Sequence, residues 1–353
     1  MSMRGVWQRL LFSHHPVIGW WWIPHLRAMI LQVSDKKPFL MRTNSIGMRS
    51  DRDYPLTRPN GRHRVVLLGD SYTAGDGVSN GLRYSDLLEQ DYAGLDVMNF
   101  GLNGSGTDQQ LLIYENLAKR YEADAYVFAP CVTNIARNLN EMFPMGERGT
   151  AEIWYRPKPY FTLEGPRLVL RNQPVPNELI SEREAFSRLG ATLNVEASPM
   201  RRELRKVIPP RLLRSMTESS IMKSIKSMGL GLGSWYDDYA STQTQGWRLM
   251  GAILERFIQQ IDDSKPIIIM PIPSPEFLVS KLPPVYLKNF LNIDGFTKNT
   301  YVLDILPNFK DLSLVDRRSC FYTYDSHYTP HGHRVVADAI AHFIGERFPN
   351  LLN

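Results

Sequence analysis

Short apolar runs alternate with amphipathic segments in the first part of the chain. Residues 64–69 (RVVLLG) are apolar without alternation, which is typical of a strand buried on both faces of a parallel sheet. Residues 96–104 and 124–131 predict further central strands. Between them, residues 107–121 space their leucines as a helix does, with Thr107 placed as its N-cap. This order of strand, helix and strand predicts an α/β protein.

The same alternation returns towards the carboxyl end of the chain. Residues 246–261 have the apolar spacing of a helix, and residues 265–273 form an apolar strand that ends in prolines. Residues 301–306 predict another strand, and residues 329–348 a closing helix with Pro330 in its first turn. The two parts together predict a parallel sheet covered by helices, with functional residues at the carboxyl ends of its strands.

The segment between these two parts, residues 143–244, breaks the pattern. It opens with proline-rich loops and continues into a basic run, residues 201–226, with eight Lys and Arg residues against two Glu residues. We interpret it as an insertion or lid on a core of residues 61–142 and 245–353, with residues 1–60 as an N-terminal extension packed on that core. The basic run is interpreted first as a solvated helical face. The second interpretation is a peripheral contact surface for anionic polysaccharide, lipid head groups or a partner.

An apolar patch near the start, residues 14–31, includes the cluster Trp20–Trp22. Two prolines and two charged or titratable residues interrupt it, so it is too short for a membrane span. It also lacks the small-residue cleavage site of a signal peptide. We therefore expect no membrane span and a cytoplasmic protein, with the tryptophans packed on the core rather than anchored in a membrane.

Charge and cysteine content add little to this picture. The net charge of +5 over 353 residues is compatible with an acidic substrate or a nearby membrane surface and establishes neither. Cys131 and Cys320 are too few and too unpatterned for a disulfide framework or a zinc site, which favours a reduced compartment. No nucleic-acid partner is expected.

The strand at 64–69 is followed at once by Asp70 and Ser71. A serine hydroxyl is a weak nucleophile at neutral pH, so it needs a base within hydrogen-bond reach and an acid that orients the base. It also needs donors aimed at the developing oxyanion, which the backbone amides near Ser71 supply if a helix begins there. Asp325 lies two residues before His327 in the loop ahead of the closing helix, so the two can pair locally.

These blocks resemble those of the SGNH/GDSL hydrolase superfamily. Gly69-Asp70-Ser71 matches its Gly-Asp-Ser block, "NFGLNG" matches its glycine block, and Asp325 and His327 followed by Gly-His match its final block. The resemblance implies a flavodoxin-like three-layer α/β/α sandwich with a parallel central sheet. It also implies that Ser71 is the nucleophile and that Gly104 gives a backbone oxyanion donor.

The remaining block of the superfamily matches imperfectly. Its members carry Asn-Asp after the strand that here ends near Cys131, and the asparagine amide donates to the oxyanion. This chain reads "CVTNIARN", without the aspartate. Asn134 is the nearest candidate for the third donor, and Thr133 is the alternative.

The histidines after His327 could also suggest a metal site. His331 and His333 are two residues apart in the first turn of the predicted helix and face different ways, so a metal is disfavoured and His333 is interpreted as structural. Residues 229–234 (GLGLGS) follow no strand, so they predict a hinge rather than a phosphate-binding loop. We expect no cofactor.

The sequence therefore predicts a serine esterase that hydrolyses an acyl ester, with an O-acetyl group on a carbohydrate or cell-surface glycan precursor as the favoured substrate. Two alternatives stay open. One is transfer of the acyl group to a polysaccharide or glycan hydroxyl, for which the same residues suffice. The other is a non-catalytic glycan-binding protein, which the missing aspartate after Asn134 motivates.

Overall fold

A computed structural model describes residues 11–32, 35–146, 153–181, 184–185, 187–188, 235–279, 283–293, 299–323 and 326–353. The basic run, residues 229–234 and Asp325 lie outside the described residues.

Fourteen strands are described along these ranges. They are β1 Phe12–His15, β2 Gly19–Trp22, β3 Arg27–Leu31, β4 Pro38–Arg42, β5 His63–Gly69, β6 Leu95–Asn99, β7 Ala125–Ala129, β8 Met142–Gly146, β9 Ile153–Pro157, β10 Tyr160–Glu164, β11 Arg167–Arg171, β12 Ile180–Ser181, β13 Ile267–Ile269 and β14 Thr300–Val302. The described α-helices are α1 Ser71–Ala74, α2 Tyr84–Asp91, α3 Thr107–Asn116, α4 Asn134–Asn138, α5 Gln245–Ile258, α6 Pro275–Val279, α7 Val285–Leu291, α8 Leu306–Lys310, α9 Leu314–Ser319 and α10 Pro330–Arg347.

The central sheet contains five parallel strands in the order β14-β13-β7-β5-β6. Read in chain order this is 2-1-3-4-5, the order of the flavodoxin-like fold. Strands β6, β7 and β13 are buried along their whole length, which explains their unbroken apolar sequences. The predicted fold class is confirmed.

The helices pack in two groups. Helix α2 contacts α10, while α3, α4 and α5 contact one another. Because the strand order reverses after β6, right-handed crossovers place these groups on opposite faces of the sheet. Among the described helices, none is long and apolar enough to cross a lipid bilayer.

The tryptophan cluster forms strand β2 and is buried, as the sequence predicts. Each indole N–H donates to a backbone carbonyl: Trp20 to Asn103 at 3.1 Å, Trp22 to Gly101 at 3.0 Å and Trp21 to Ile46 at 2.8 Å. Two of these carbonyls belong to the loop after β6. Strand β2 therefore contacts and helps to hold that loop.

The predicted start of the first long helix is wrong by one residue. Gly106 is the N-cap of α3, and Thr107 is its first helical residue. A side chain at 106 would collide with Asp108 and with Asn138, whose Oδ1 accepts the Asp108 N–H at 3.3 Å. The helix end is therefore capped partly from α4 and partly by its own side chains, since Gln109 Oε1 accepts the Gly106 N–H at 3.4 Å and Asp108 Oδ1 accepts the Gln109 N–H at 2.7 Å. The helix also ends earlier than predicted, at Asn116.

The described part of the predicted insertion is antiparallel. Strands β8, β9 and β12 form one small sheet, and β10 pairs with β11. Lys158, between β9 and β10, forms a fully buried ion pair with Asp108 of α3. Burial raises the pKa of the Asp108 carboxyl and lowers that of Lys158, while their mutual attraction opposes both shifts. This pair joins the segment to the core.

Candidate active site

Ser71 is the first residue of α1, and only Asp70 separates it from the end of β5. Asp70 is the N-cap of this helix, and its Oδ1 accepts the Tyr72 N–H at 3.0 Å. The turn requires glycine at position 69, since a Cβ there would overlap the Thr73 side chain and lie 2.9 Å from the Ala129 carbonyl oxygen. The serine therefore lies at the carboxyl end of a central strand, with helical N–H groups beside it.

The predicted base is within hydrogen-bond distance of this serine. His327 Nε2 lies 2.8 Å from Ser71 Oγ, although the two residues are 256 positions apart in the chain. Ser71 is 6 % exposed, and His327 is partly buried. The geometry is that of a hydroxyl whose proton can pass to the imidazole.

The loop that carries His327 is held by backbone and side-chain hydrogen bonds. Tyr322 N–H donates to the His327 carbonyl at 2.9 Å, and Ser326 N–H to the Tyr322 carbonyl at 3.0 Å. The Tyr72 hydroxyl donates to the Ser326 carbonyl at 3.0 Å, and its ring lies 5.1 Å from the His327 ring. Asp325, the predicted orienting acid, is outside the described residues, and its role stays a prediction.

Gly104 lies in the loop after β6, with a positive φ of 77°. A Cβ at this position would lie 2.5 Å from the Phe143 ring, so the ring packs directly against the glycine. Earlier in the loop, the Leu102 N–H donates to the Gly69 carbonyl at 3.1 Å. The loop thus packs against the serine turn, while its role as an oxyanion donor stays a prediction.

Asn134 is fully buried at the start of α4, after β7. Its Nδ2 donates to Asp70 Oδ2 at 2.9 Å, and its Oδ1 accepts from Gln110 Nε2 at 3.0 Å. The Thr133 hydroxyl instead lies 3.2 Å from Cys131 Sγ. Of the two candidates for the third donor, Asn134 is the one whose side chain contacts the serine turn.

Ser71 and Asn134 follow neighbouring strands, β5 and β7, with β6 on the far side of β5. This is the point at which the strand order of the sheet reverses. In open α/β sheets, ligands bind in the crevice outside the strand ends at such a point. The topology therefore places the candidate residues where a substrate site is expected.

Arg137 was not predicted from the sequence as a site residue. Its Nη1 donates to Asp70 Oδ2 at 3.0 Å and to the Ser105 carbonyl at 2.9 Å. It lies three positions after Asn134, so both side chains project from the same side of α4. That spacing is the signal in the sequence that could have indicated it.

Burial keeps Tyr72, Cys131 and His333 uncharged at neutral pH. Burial, together with the negative charge of Asp70, holds the pKa of Tyr72 well above its usual value, so its hydroxyl remains a donor. Burial raises the pKa of the Cys131 thiol to about 12, so this thiol is not a nucleophile at neutral pH. Burial and the nearby Arg49 and Arg83 guanidinium groups lower the pKa of His333 to about 3.

The other two histidines of the closing segment have separate partners. His331 Nδ1 lies 2.8 Å from Ser319 Oγ at the surface, and buried His333 Nδ1 accepts the Tyr84 N–H at 3.3 Å. His333 is thus a structural residue, as predicted. Within the described ranges, no cluster of three or more His, Cys, Asp or Glu residues is arranged to hold a metal ion.

No protein-family model and no curated protein matches the sequence. Solved structures do match at low similarity. The lipase/acylhydrolase from Enterococcus faecalis is 14% identical with a TM-score of 0.40, covering 81% of this chain and 96% of that one. A member of the lipolytic protein G-D-S-L family from Veillonella parvula is 12% identical with a TM-score of 0.38, covering 81% and 100%. A catalytic mutant of Axe2, an acetylxylan esterase from Geobacillus stearothermophilus, is 12% identical with a TM-score of 0.40, covering 80% and 94%.

Proposed function

We propose that the protein is a serine esterase of the SGNH/GDSL type. The observation that carries this proposal is the 2.8 Å contact between Ser71 Oγ and His327 Nε2 at the carboxyl end of a central parallel strand. The contact joins two blocks that the sequence places at opposite ends of the chain. A glycan-binding protein would have no need of a nucleophile and base aligned at this distance.

Ser71 Oγ attacks the carbonyl carbon of the ester, and His327 Nε2 takes the hydroxyl proton. The tetrahedral intermediate collapses when His327 returns that proton to the alcohol oxygen, which leaves an acyl group on Ser71. Water then attacks the acyl-enzyme with His327 again as base, and the acid departs. Asp325 is assigned the role of the acid that orients His327 and stabilises the imidazolium in both steps.

Three donors are proposed for the oxyanion: the Ser71 N–H, the Gly104 N–H and the Asn134 side-chain amide. The Asn134 Nδ2 carries two hydrogens, and Asp70 fixes one of them at 2.9 Å. The second hydrogen is the one assigned to the oxyanion. Because Asp70 and Gln110 hold both ends of the Asn134 amide, the donor is oriented before substrate arrives.

The substrate proposed is a small O-acyl group, an acetyl ester on a carbohydrate. Its support is the limited space around the nucleophile: Ser71 is 6 % exposed, and the Phe143 ring covers Gly104. Phe143 is also the first residue of the predicted insertion. We therefore propose that residues 143–244 border the active-site mouth and select the alcohol part of the ester.

Labelling with a fluorophosphonate tests the nucleophile. We expect covalent modification of Ser71 in the wild-type protein and none in Ser71→Ala or His327→Ala. Ser319→Ala is the matched control, because Ser319 also lies 2.8 Å from a histidine but at the exposed end of α9. Labelling at Ser319, or labelling that survives in Ser71→Ala, contradicts the proposal.

The reaction itself is tested with 4-nitrophenyl acetate and a panel of acetylated sugars, each with and without an acceptor glycan. Release of free acetate in both conditions indicates hydrolysis. Acetate that appears on the acceptor in place of free acetate shows that the acyl-enzyme passes its group to a sugar hydroxyl, and the esterase assignment is then replaced by acyl transfer.

A further inference from the structure

One nitrogen of Arg137 joins two segments of the candidate site. Its Nη1 donates to Asp70 Oδ2 at 3.0 Å and to the Ser105 carbonyl at 2.9 Å. Asp70 is bonded in the chain to Ser71, and Ser105 to Gly104. Each acceptor is thus one residue away from a proposed backbone donor to the oxyanion.

These two segments come from different parts of the sheet. Asp70 ends the turn after β5, while Ser105 lies in the loop after β6. Two direct links, from the Leu102 N–H and, at a long 3.4 Å, from the Ser105 hydroxyl, reach the Gly69 carbonyl. Arg137 adds a charge-assisted link from a third segment, α4. Arg137 therefore adds to the contacts that hold the two segments together, and it is the one that carries a charge.

The charge of Arg137 matters as well as its geometry. The Asp70 side chain is fully buried, and the Arg137 side chain is 30 % exposed. An oxyanion that forms beside Ser71 would face the Asp70 carboxylate at close range in a medium of low dielectric constant. The guanidinium offsets that carboxylate, and removing it leaves a buried negative charge next to a second, developing one.

Helix α4 is itself held in place from the other side. Lys158 Nζ donates to the carbonyls of Arg137 at 3.3 Å and Asn140 at 3.1 Å, in addition to its ion pair with Asp108. The carboxyl end of the helix is therefore fixed, and its cationic partner is favourable at that end. Arg137 acts from a rigid support.

We propose that Arg137 is a positioning residue for the oxyanion site: it sets the spacing of the Ser71 and Gly104 amides and neutralises Asp70 while negative charge forms on the substrate. This proposal rests on the proposed esterase function. Arg137 contacts no reacting atom in it, so its effect should fall on the transition state and leave substrate binding nearly unchanged.

The test compares Arg137→Gln and Arg137→Lys with Arg256→Gln. Arg256 forms a two-contact ion pair with Glu115 at 2.9 and 3.2 Å and is 39 % exposed, but it joins α5 to α3. It therefore reports the general cost of losing a half-buried guanidinium. Thermal unfolding of all three variants is measured beside their kinetics.

With 4-nitrophenyl acetate, Arg137→Gln should lower kcat about ten- to a hundredfold. This fall is smaller than the one expected when a group that donates directly to the oxyanion is removed. KM should change less than about twofold. The inhibition constant of a trifluoromethyl ketone, which forms a tetrahedral adduct with the serine, should rise by a similar factor. Arg137→Lys should recover about a third of kcat and stay below wild type, because one nitrogen can make both contacts but the lysine side chain is shorter. Arg256→Gln should stay within about twofold of wild type.

Unchanged kcat in Arg137→Gln, a loss confined to KM, or an equal loss in Arg256→Gln would overturn the positioning role. If Arg137→Gln does not fold, Arg137→Lys decides: a fall in kcat matched by weaker inhibitor binding supports the role, and wild-type values for both oppose it. Failure of the esterase proposal looks different: wild-type protein would then escape fluorophosphonate labelling, and any hydrolysis of 4-nitrophenyl acetate by wild type would be unchanged in Ser71→Ala.

Discussion

The Tyr72 hydroxyl donates to the Ser326 carbonyl at 3.0 Å, which ties the residue after Ser71 to the residue before His327. The Tyr72 ring also lies 5.1 Å from the His327 ring. Ser326 has a positive φ of 65°, a backbone conformation that a non-glycine residue adopts only at some cost. A hydrogen bond to its carbonyl helps to hold that conformation, and with it the position of the imidazole.

Tyr72→Phe should therefore lower turnover while leaving the ring contacts in place. We expect a fall in kcat of about three- to thirtyfold, together with a stability loss of about 1–2 kcal/mol from the lost hydrogen bond. Steady-state kinetics on an activated ester and thermal unfolding measure the two effects. Tyr236→Phe is the control, because its hydroxyl also donates to a backbone carbonyl, at 3.2 Å, far along the chain from the His327 loop. An equal change in kcat in both variants would show that the contact has no special role.

The central strands were predictable because a strand buried on both faces of a sheet has an unbroken apolar sequence. Strand β5 begins one residue before the predicted range 64–69, and β7 lies inside the predicted range 124–131. The closing helix begins at Pro330, as expected. The start of α3 was not predictable in the same way. One of its first N–H groups, that of Asp108, is accepted by Asn138, whose position depends on tertiary packing that a local pattern does not contain.

The residues of the candidate site also differ in whether the sequence alone could identify them. Ser71 and His327 stand out because each lies in a distinctive short block next to a predicted element. Arg137 and Tyr72 do not, because their importance depends on which backbone carbonyls and carboxylates the fold brings to them. A short motif identifies the residues inside it, whereas contacts between residues of different motifs depend on the fold and cannot be predicted from either motif alone.

The third oxyanion donor is tested by comparing Asn134→Ala with Thr133→Ala. If the Asn134 amide donates to the oxyanion, its removal should lower kcat about a hundred- to a thousandfold, or roughly 3–4 kcal/mol of transition-state stabilisation. Thr133→Ala should change kcat little, since the Thr133 hydroxyl contacts Cys131 Sγ. Circular dichroism confirms that both variants fold. Nearly wild-type rates in both would leave the Ser71 and Gly104 amides as the donors.

The proposed role of Asp325 as the orienting acid is tested by Asp325→Asn. An asparagine at this position cannot stabilise the imidazolium and favours the wrong imidazole tautomer, so kcat should fall strongly. The comparable loss in serine proteases is on the order of ten-thousandfold, and a histidine already well positioned by its loop should lose less. Asp316→Asn, on the exposed helix α9, serves as a control for removal of one carboxylate. Unchanged turnover in Asp325→Asn would assign the orienting role to another group.

Buried His333 should make the fold sensitive to acid. Its pKa is lowered to about 3 by burial and by Arg49 and Arg83, against an ordinary value of 6.5, so the native state keeps it neutral where the unfolded chain binds a proton. Stability from this group is complete above pH 6.5 and falls as pH drops towards 3, at up to about 1.4 kcal/mol per pH unit. Urea unfolding between pH 7 and pH 5 measures the slope, in a range where few carboxylates titrate. His333→Gln should reduce the slope of the free energy of unfolding against pH by the equivalent of about one bound proton. His342→Gln, at an exposed position of the same helix, should leave the slope unchanged. An identical slope in wild type and His333→Gln would mean that His333 does not control acid stability.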